Sequence, residues 1–307
     1  MQSNYRGVPL DDVATLIRKC GLEVESQPDS LRFEATHGPA EIRVLAPQEP
    51  SLDDVPLKAV VLARTRLPDE LLFDDPKIYL WANRRAAMGA FTVMDGKLYV
   101  VSRLTTYEGE DSWDLHSPLL AFAAAFSGDA MDPRTLAQGP RAAPVWPGED
   151  FAGLEKELSR FCVCNGDDAG FTAEFPLRAG SGCAGLGDQR TALLRMMTDE
   201  PHPIIGSGLL VVLEMPHQFP SPDDLAKVVE RLNAWEAEPG DRVPHYGAWC
   251  AGGVGNPAYA SFVPGGLRRP GLARNFVTWM RARALLADGF LLSLGKTIGI
   301  NEVERAR

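Results

Sequence analysis

The chain has 307 residues, of which 45% are apolar and 23% charged, with a formal net charge of -10 and a pI near 5.1. That composition suits a globular chain with enough apolar residues for a real core and length for two domains. The acidic balance argues against a nucleic-acid partner, which asks for a basic face, and no apolar run is long enough to span a bilayer.

The N-terminus, Met1 to Arg6, lacks the apolar core of a signal peptide. The five cysteines are therefore expected to be reduced thiols in a cytoplasmic protein. Val13, Leu16, Ile17 and Cys20 fall on one side of a first helix that Gly21 would end. Residues 23–35 and 41–46 are strand-like, with a turn at His37-Gly38-Pro39 between them. Ala59-Val60-Val61-Leu62-Ala63 is an unbroken apolar run, the mark of a central buried strand.

A helix starts at Asp75-Pro76, with Ile78, Ala82 and Ala86 spaced four apart along one face. Next comes a hairpin, residues 91–94 and 97–101 around Asp95-Gly96, where the turn needs positive φ and these two residues tolerate it. Leu115, Leu119, Phe122 and Phe126 then mark a third helix. The Pro-, Gly- and Ala-rich residues 127–149 show no period and contain the expected domain boundary.

The same order then restarts. Phe151, Leu154, Leu158 and Phe161 share a helix face; residues 162–164, 171–177 and 204–215 are strand-like; Asp188 to Met197 is a candidate short helix. Ser221-Pro222 opens a helix striped by Leu225, Val228, Val229, Leu232 and Trp235. A hairpin follows over residues 245–250 and 258–263, then a helix bearing Leu272, Phe276, Met280 and Ala284 that Gly289 would close, leaving residues 291–307 as a tail. Ala82-Asn83 and Leu232-Asn233 fall at matching turns of the two middle helices. The expectation is an α+β chain with antiparallel sheets, a tandem duplication of helix, three strands, helix, two strands, helix: unit one at 1–130, a linker at 131–149, unit two at 150–307.

This element order, carried by Asp75-Pro76 through Phe126 and Ser221-Pro222 through Ala284, resembles the class I type III secretion chaperone fold and its YbjN-like relatives. The resemblance covers nearly the whole chain. Members are typically single-unit homodimers, so two units in one chain imply a covalent pseudo-dimer. It also implies a non-catalytic module, chaperone or regulator, that holds an extended segment of a partner protein against apolar patches and sheet edges.

Site chemistry is sparse. The loop 180–187 is Gly-rich but lacks the Gly-Lys-Ser/Thr of a phosphate loop. Cys162 and Cys164 share a strand face but have no second cysteine pair to complete a zinc site. Cys183 or Cys250 with His202, His217 or His245 offers a nucleophile and base without a motif to pair them. No catalytic residue, metal or cofactor is assigned. Trp81, Trp235 and Trp279 are read as core or subunit contacts, and Arg84-Arg85 and Arg268-Arg269, with Arg281 and Arg283, as solvated helix faces or pairs with nearby acids. Tyr99, Val101, Tyr259 and Phe262, on the two late hairpins, are the partner-binding candidates. Two rivals stand beside protein binding. One is a ligand sensor or enzyme whose Gly-rich loops, 180–187 and 252–255, surround Cys183, His202 or His245; the other is a structural oligomerisation module.

Overall fold

Twelve strands alternate with helices in two matching series. The computed structural model describes residues 8–46, 56–108, 112–131, 144–147, 151, 153–160, 162–177, 190–240 and 242–298. The first series is α1 (Leu10–Lys19), β1 (Val24–Gln27), β2 (Ser30–Ala35), β3 (Gly38–Leu45), β4 (Leu57–Arg66), α2 (Pro76–Arg84), β5 (Ala90–Met94), β6 (Lys97–Tyr107) and α3 (Trp113–Phe126). The second is α4 (Leu154–Leu158), β7 (Val163–Asp167), β8 (Gly170–Pro176), β9 (Thr191–Met197), β10 (Gly208–Glu214), α5 (Pro222–Ala237), β11 (Ala248–Ala251), β12 (Pro257–Pro264) and α6 (Leu272–Ile298).

Each series folds into one six-stranded antiparallel sheet. The orders are β1-β2-β3-β4-β6-β5 and β7-β8-β9-β10-β12-β11, one topology used twice. The registers agree residue by residue. One row across the first sheet runs Val24, Phe33, Ala40, Thr65, Val100, Phe91. Its counterpart runs Cys164, Ala173, Leu194, Leu213, Tyr259, Trp249. The last residue of each row is gripped by the same device. Asn83 of α2 accepts from the Phe91 amide at 2.7 Å and donates to its carbonyl at 3.4 Å. Asn233 of α5 does the same to Trp249, at 2.8 and 2.9 Å. A buried backbone strand edge needs these bonds, which explains an asparagine on each otherwise apolar stripe.

Both middle helices start alike, with proline at the first turn and a side-chain cap: Asp75 accepts from the Lys77 amide and Ser221 from the Asp224 amide. The Asp95-Gly96 turn has positive φ at both residues, 50° and 69°, as the hairpin requires. Helices α3 and α6 cover one face of their own sheets. The middle helices α2 and α5 pack on each other, and each also contacts both β5 and β11. A continuous apolar core runs through both units.

Each unit has one strand more than expected before its middle helix. In the first, residues 23–35 split into β1 and β2 around Pro28-Asp29. In the second, the expected short helix at 188–197 is instead strand β9, because Ala192, Leu194 and Met196 alternate inward with a period of two. Gly289 does not end the last helix, which continues to Ile298; a lone glycine costs a helix only about 1 kcal/mol. Helix α4 is five residues long, and Phe161 lies outside the described residues.

The connecting region is fastened rather than loose where it is described. The Ser127 hydroxyl donates to the Met88 carbonyl at 2.7 Å, and Asp129 lies 2.9 Å from His37, both pairs buried. Trp146 is fully buried, and the Pro144 carbonyl oxygen lies so close over Gly265 that a Cβ there would come within 1.7 Å of it.

Candidate functional site

The most heavily built polar region is the seam between the units. Counting along the matched rows, Arg103 corresponds to Phe262, and Ala87 to His245. The backbone bonds across the seam follow that symmetry. Arg103 and His245 exchange amide–carbonyl bonds at 3.1 and 2.6 Å, and the Phe262 amide donates to the Ala87 carbonyl at 2.7 Å. The histidines add side-chain contacts. His202 Nε2 sits 2.8 Å from the Arg85 carbonyl oxygen, and the His116 ring of α3 stacks on Tyr246 and Trp279 of the second unit.

At the centre of the seam is Glu236, whose carboxylate is out of solvent. Arg283 Nε donates to its Oε1 at 2.7 Å and Arg283 Nη2 to its Oε2 at 3.3 Å. The Trp249 indole N–H donates at 3.3 Å, and Arg103 Nη2 stands 3.8 Å away. Arg103 also donates to the carbonyls of Glu236 and Val243, at 2.7 and 2.9 Å. The Arg283 guanidinium lies 3.9 Å over the Tyr259 ring. Burial alone would raise the Glu236 carboxyl, but Arg283, His245 and Arg103 outweigh it and hold it at about 2. Burial keeps the His245 imidazole neutral, down at about 3, against the opposing pull of Glu236. The cluster is charged, satisfied around Glu236 and closed to solvent, so it joins the units rather than meeting a substrate.

The same burial decides most of the sequence-based candidates. Val101, Tyr259 and Phe262 are buried, Tyr259 under Arg283 and Phe262 against the His202 ring at 5.0 Å. Being buried, these three offer nothing to a docking partner. Tyr259 and Phe262, three apart on β12, lie on opposite faces; Arg283, His245 and Trp249 of its own unit cover Tyr259, and the Phe262 amide bonds across the seam to Ala87. Tyr99 alone is half-exposed, with the Arg64 guanidinium 5.9 Å from its ring centre.

His245 lines no cleft, and Cys250 is buried with its thiol pushed up to about 12 by desolvation, which removes its nucleophile. The turn 252–255 sits at the far tip of the β11–β12 hairpin, bonded to Asn256 and Phe219, so it does not converge on His202 or His245. The 180–187 loop with Cys183 lies outside the described residues. His217 pairs instead with Asp288 at 3.2 Å and Arg190 at 2.9 Å. Among the described residues no group of three or more His, Cys, Asp or Glu side chains could hold a metal ion.

Sheet edges differ in their availability. The inner strands, β5 and β11, are packed against both middle helices, α2 and α5. The outer edges, β1 and β7, are short, and a charged side chain reaches each: Arg18 to the Val24 carbonyl and Glu155 to the Gly166 amide, both at 3.4 Å. Such charges discourage strand addition.

Among the described residues, the exposed aromatic side chains lie at and before the outer side of α2. Trp81 is 60% exposed, Phe73 38% and Ile78 37%; of the two readings of Trp81, core or subunit contact, its exposure removes the core one. Ile78 and Trp81 are three apart and share a helix face, with Asp74 and Asp75 before them and Arg84 and Arg85 after, all exposed. A second feature is an open groove of about 680 Å³ between α1, the start of α3 and Arg269-Pro270, with Asp12, Lys19, Asp114 and Arg269 on its walls. No protein family, curated protein or solved structure matches the chain.

Proposed function

We propose that the chain is a non-catalytic binding module, chaperone-like or regulatory, that captures a segment of another protein on the outer side of α2. The observation that carries this reading is Trp81, a large aromatic side chain left mostly in water beside Phe73 and Ile78. Exposed apolar clusters of this kind mark contact surfaces, and tryptophan is over-represented among the residues that dominate binding energy. The seam supports the reading from the other side, because it locks the buried polar groups into joining the units and leaves α2 rigidly placed between both sheets. The covered or charged sheet edges favour a segment seated on the helix over one added as a strand.

A second reading has its own support. The exposed stripe of α2 runs acidic, apolar, basic, and that order complements itself in an antiparallel pair, so a second copy of the chain could occupy it.

Capture from native extract by the intact chain and by Trp81→Ala separates these readings. An exposed position is expected to change stability by no more than about 0.5 kcal/mol. The expected result is a stoichiometric partner protein retained by the intact chain and lost, by at least about tenfold in affinity, with the variant. Equal retention by both chains contradicts the proposal, and concentration-dependent dimerisation that Trp81→Ala abolishes favours the second reading.

A further inference from the structure

The open groove of about 680 Å³ lies where the two units meet. Helices α1 and α3 of the first unit form one side, and Arg269-Pro270, between β12 and α6 of the second, forms the other. Its size falls within the range of small-molecule sites, which favour boundaries between domains. Leu16, Leu115 and Pro118 give it an apolar floor, the first two half-buried and the third buried.

Four charged side chains stand around that floor, Asp12, Lys19, Asp114 and Arg269, all of them exposed. Two are acids and two are bases, yet none is paired with another. Among the described residues, the side chains of Asp12, Lys19 and Asp114 enter no hydrogen bond or ion pair, and Arg269 donates to the neighbouring Arg268 carbonyl at 2.8 Å. Ser117 also lines the groove, from a residue only 5% exposed, and its hydroxyl bonds to no other described group.

The backbone sets where the charges lie. The Pro9 carbonyl accepts both the Trp113 indole N–H, at 3.1 Å, and the Asp12 amide, at 3.3 Å. Asp114 follows Trp113, so the two carboxylates flank one point at the start of α1 and α3. Lys19 is seven residues further along α1, about 10 Å at the helical rise. Asp12, Leu16 and Lys19, at steps of four and three, face the groove together. Opposite charges that far apart do not pair directly, and a ligand with two complementary ends meets both.

We propose that this groove binds a short zwitterionic peptide, its ammonium end between Asp12 and Asp114 and its carboxylate end toward Lys19 and Arg269. Three residues of extended chain span about 10 Å, which fits the run from Asp12 to Lys19. The apolar floor receives the side chains, and the Ser117 hydroxyl offers a hydrogen bond to the peptide backbone. The bound peptide touches both units. The site shares no residue with the Trp81 surface, so it stands independently of capture on α2.

Equilibrium dialysis of the full chain with radiolabelled Ala-Leu-Ala tests this. The peptide with both termini free is expected to be retained. N-acetylation or C-terminal amidation should each weaken retention by about tenfold or more, the loss expected for a hydrogen bond to a charged group. Asp12→Asn with Asp114→Asn should bind the free and the acetylated peptide alike, and Lys19→Gln with Arg269→Gln the free and the amidated. These positions are exposed, so the variants are expected to keep the parent's fold, and Trp81→Ala is expected to bind the peptide as the parent does. The proposal is overturned if the parent retains no more peptide than a chain with all four charges neutralised. It is overturned equally if the doubly blocked peptide is retained as well as the free one, or if Trp81→Ala loses the peptide.

Discussion

Glu236→Gln is expected to lower the free energy of unfolding by about 3–5 kcal/mol, the usual cost of breaking a buried ion pair from one side. Gln keeps the volume and removes the charge, so little of the loss can come from a cavity. Arg283 and Arg103, both fully buried, would then hold two positive charges with no carboxylate between them. Desolvation works against the Arg103 guanidinium, drawing it down to about 10, and Glu236 is the group that opposes that fall. Urea unfolding at neutral pH measures the effect, and a loss under about 1 kcal/mol, the range of an exposed pair, would show that Glu236 does not hold the seam. A double-mutant cycle with Arg283→Met isolates the coupling, since the two residues share two bonds.

Mild acid is expected to weaken the fold through His116. Burial between α3 and the second unit lowers its imidazole to about 4 from an ordinary 6.5, so the folded chain holds it neutral while the unfolded chain protonates it. The sign follows from that difference. The cost is absent above about pH 6.5, grows as pH falls, and is complete below about 4. At about 1.4 kcal/mol per pH unit it amounts to roughly 3 kcal/mol. Burial also lowers His202 and His245, which adds to the trend in the same direction. Unfolding free energies of the parent and of His116→Phe, measured from pH 7.5 to pH 4.5, should diverge in slope, the variant being the flatter. Parallel slopes would mean that His116 is not held neutral in the seam.

The helix starts, the Asp95-Gly96 hairpin and the duplication were legible because each rests on short-range chemistry: a proline beside a capping side chain, a turn with positive φ, a stripe of fixed period. β9 was less legible, since a seven-residue segment rich in Ala, Leu and Met suits a helix locally, and only its neighbours in the sheet decide otherwise. The seam was hidden for a different reason. The bonds of Phe262 to Ala87 and of Arg103 to His245 join residues more than a hundred positions apart, and no local pattern announces such pairs.

Arg283 is no solvated face but is fully buried and paired with an acid, Glu236, and the two did leave a signal. Glu236 continues the stripe Leu225, Val229, Leu232, and Arg283 the stripe Phe276, Met280, each as a charge at an apolar-face position. Charges of opposite sign on two inward stripes are a reason to pair them. Trp81 could be read either as core or as a subunit contact, and only the packing of α2 across β11 with that side turned outward removes the first.

The central claim is that the two units form one body across the buried seam, which sets α2 and its exposed face between both sheets. Scanning calorimetry of the full chain tests this most directly. The account predicts a single transition whose calorimetric and van't Hoff enthalpies agree, because one core and one charged cluster run through both units. Two resolved transitions, one for each unit, would contradict it.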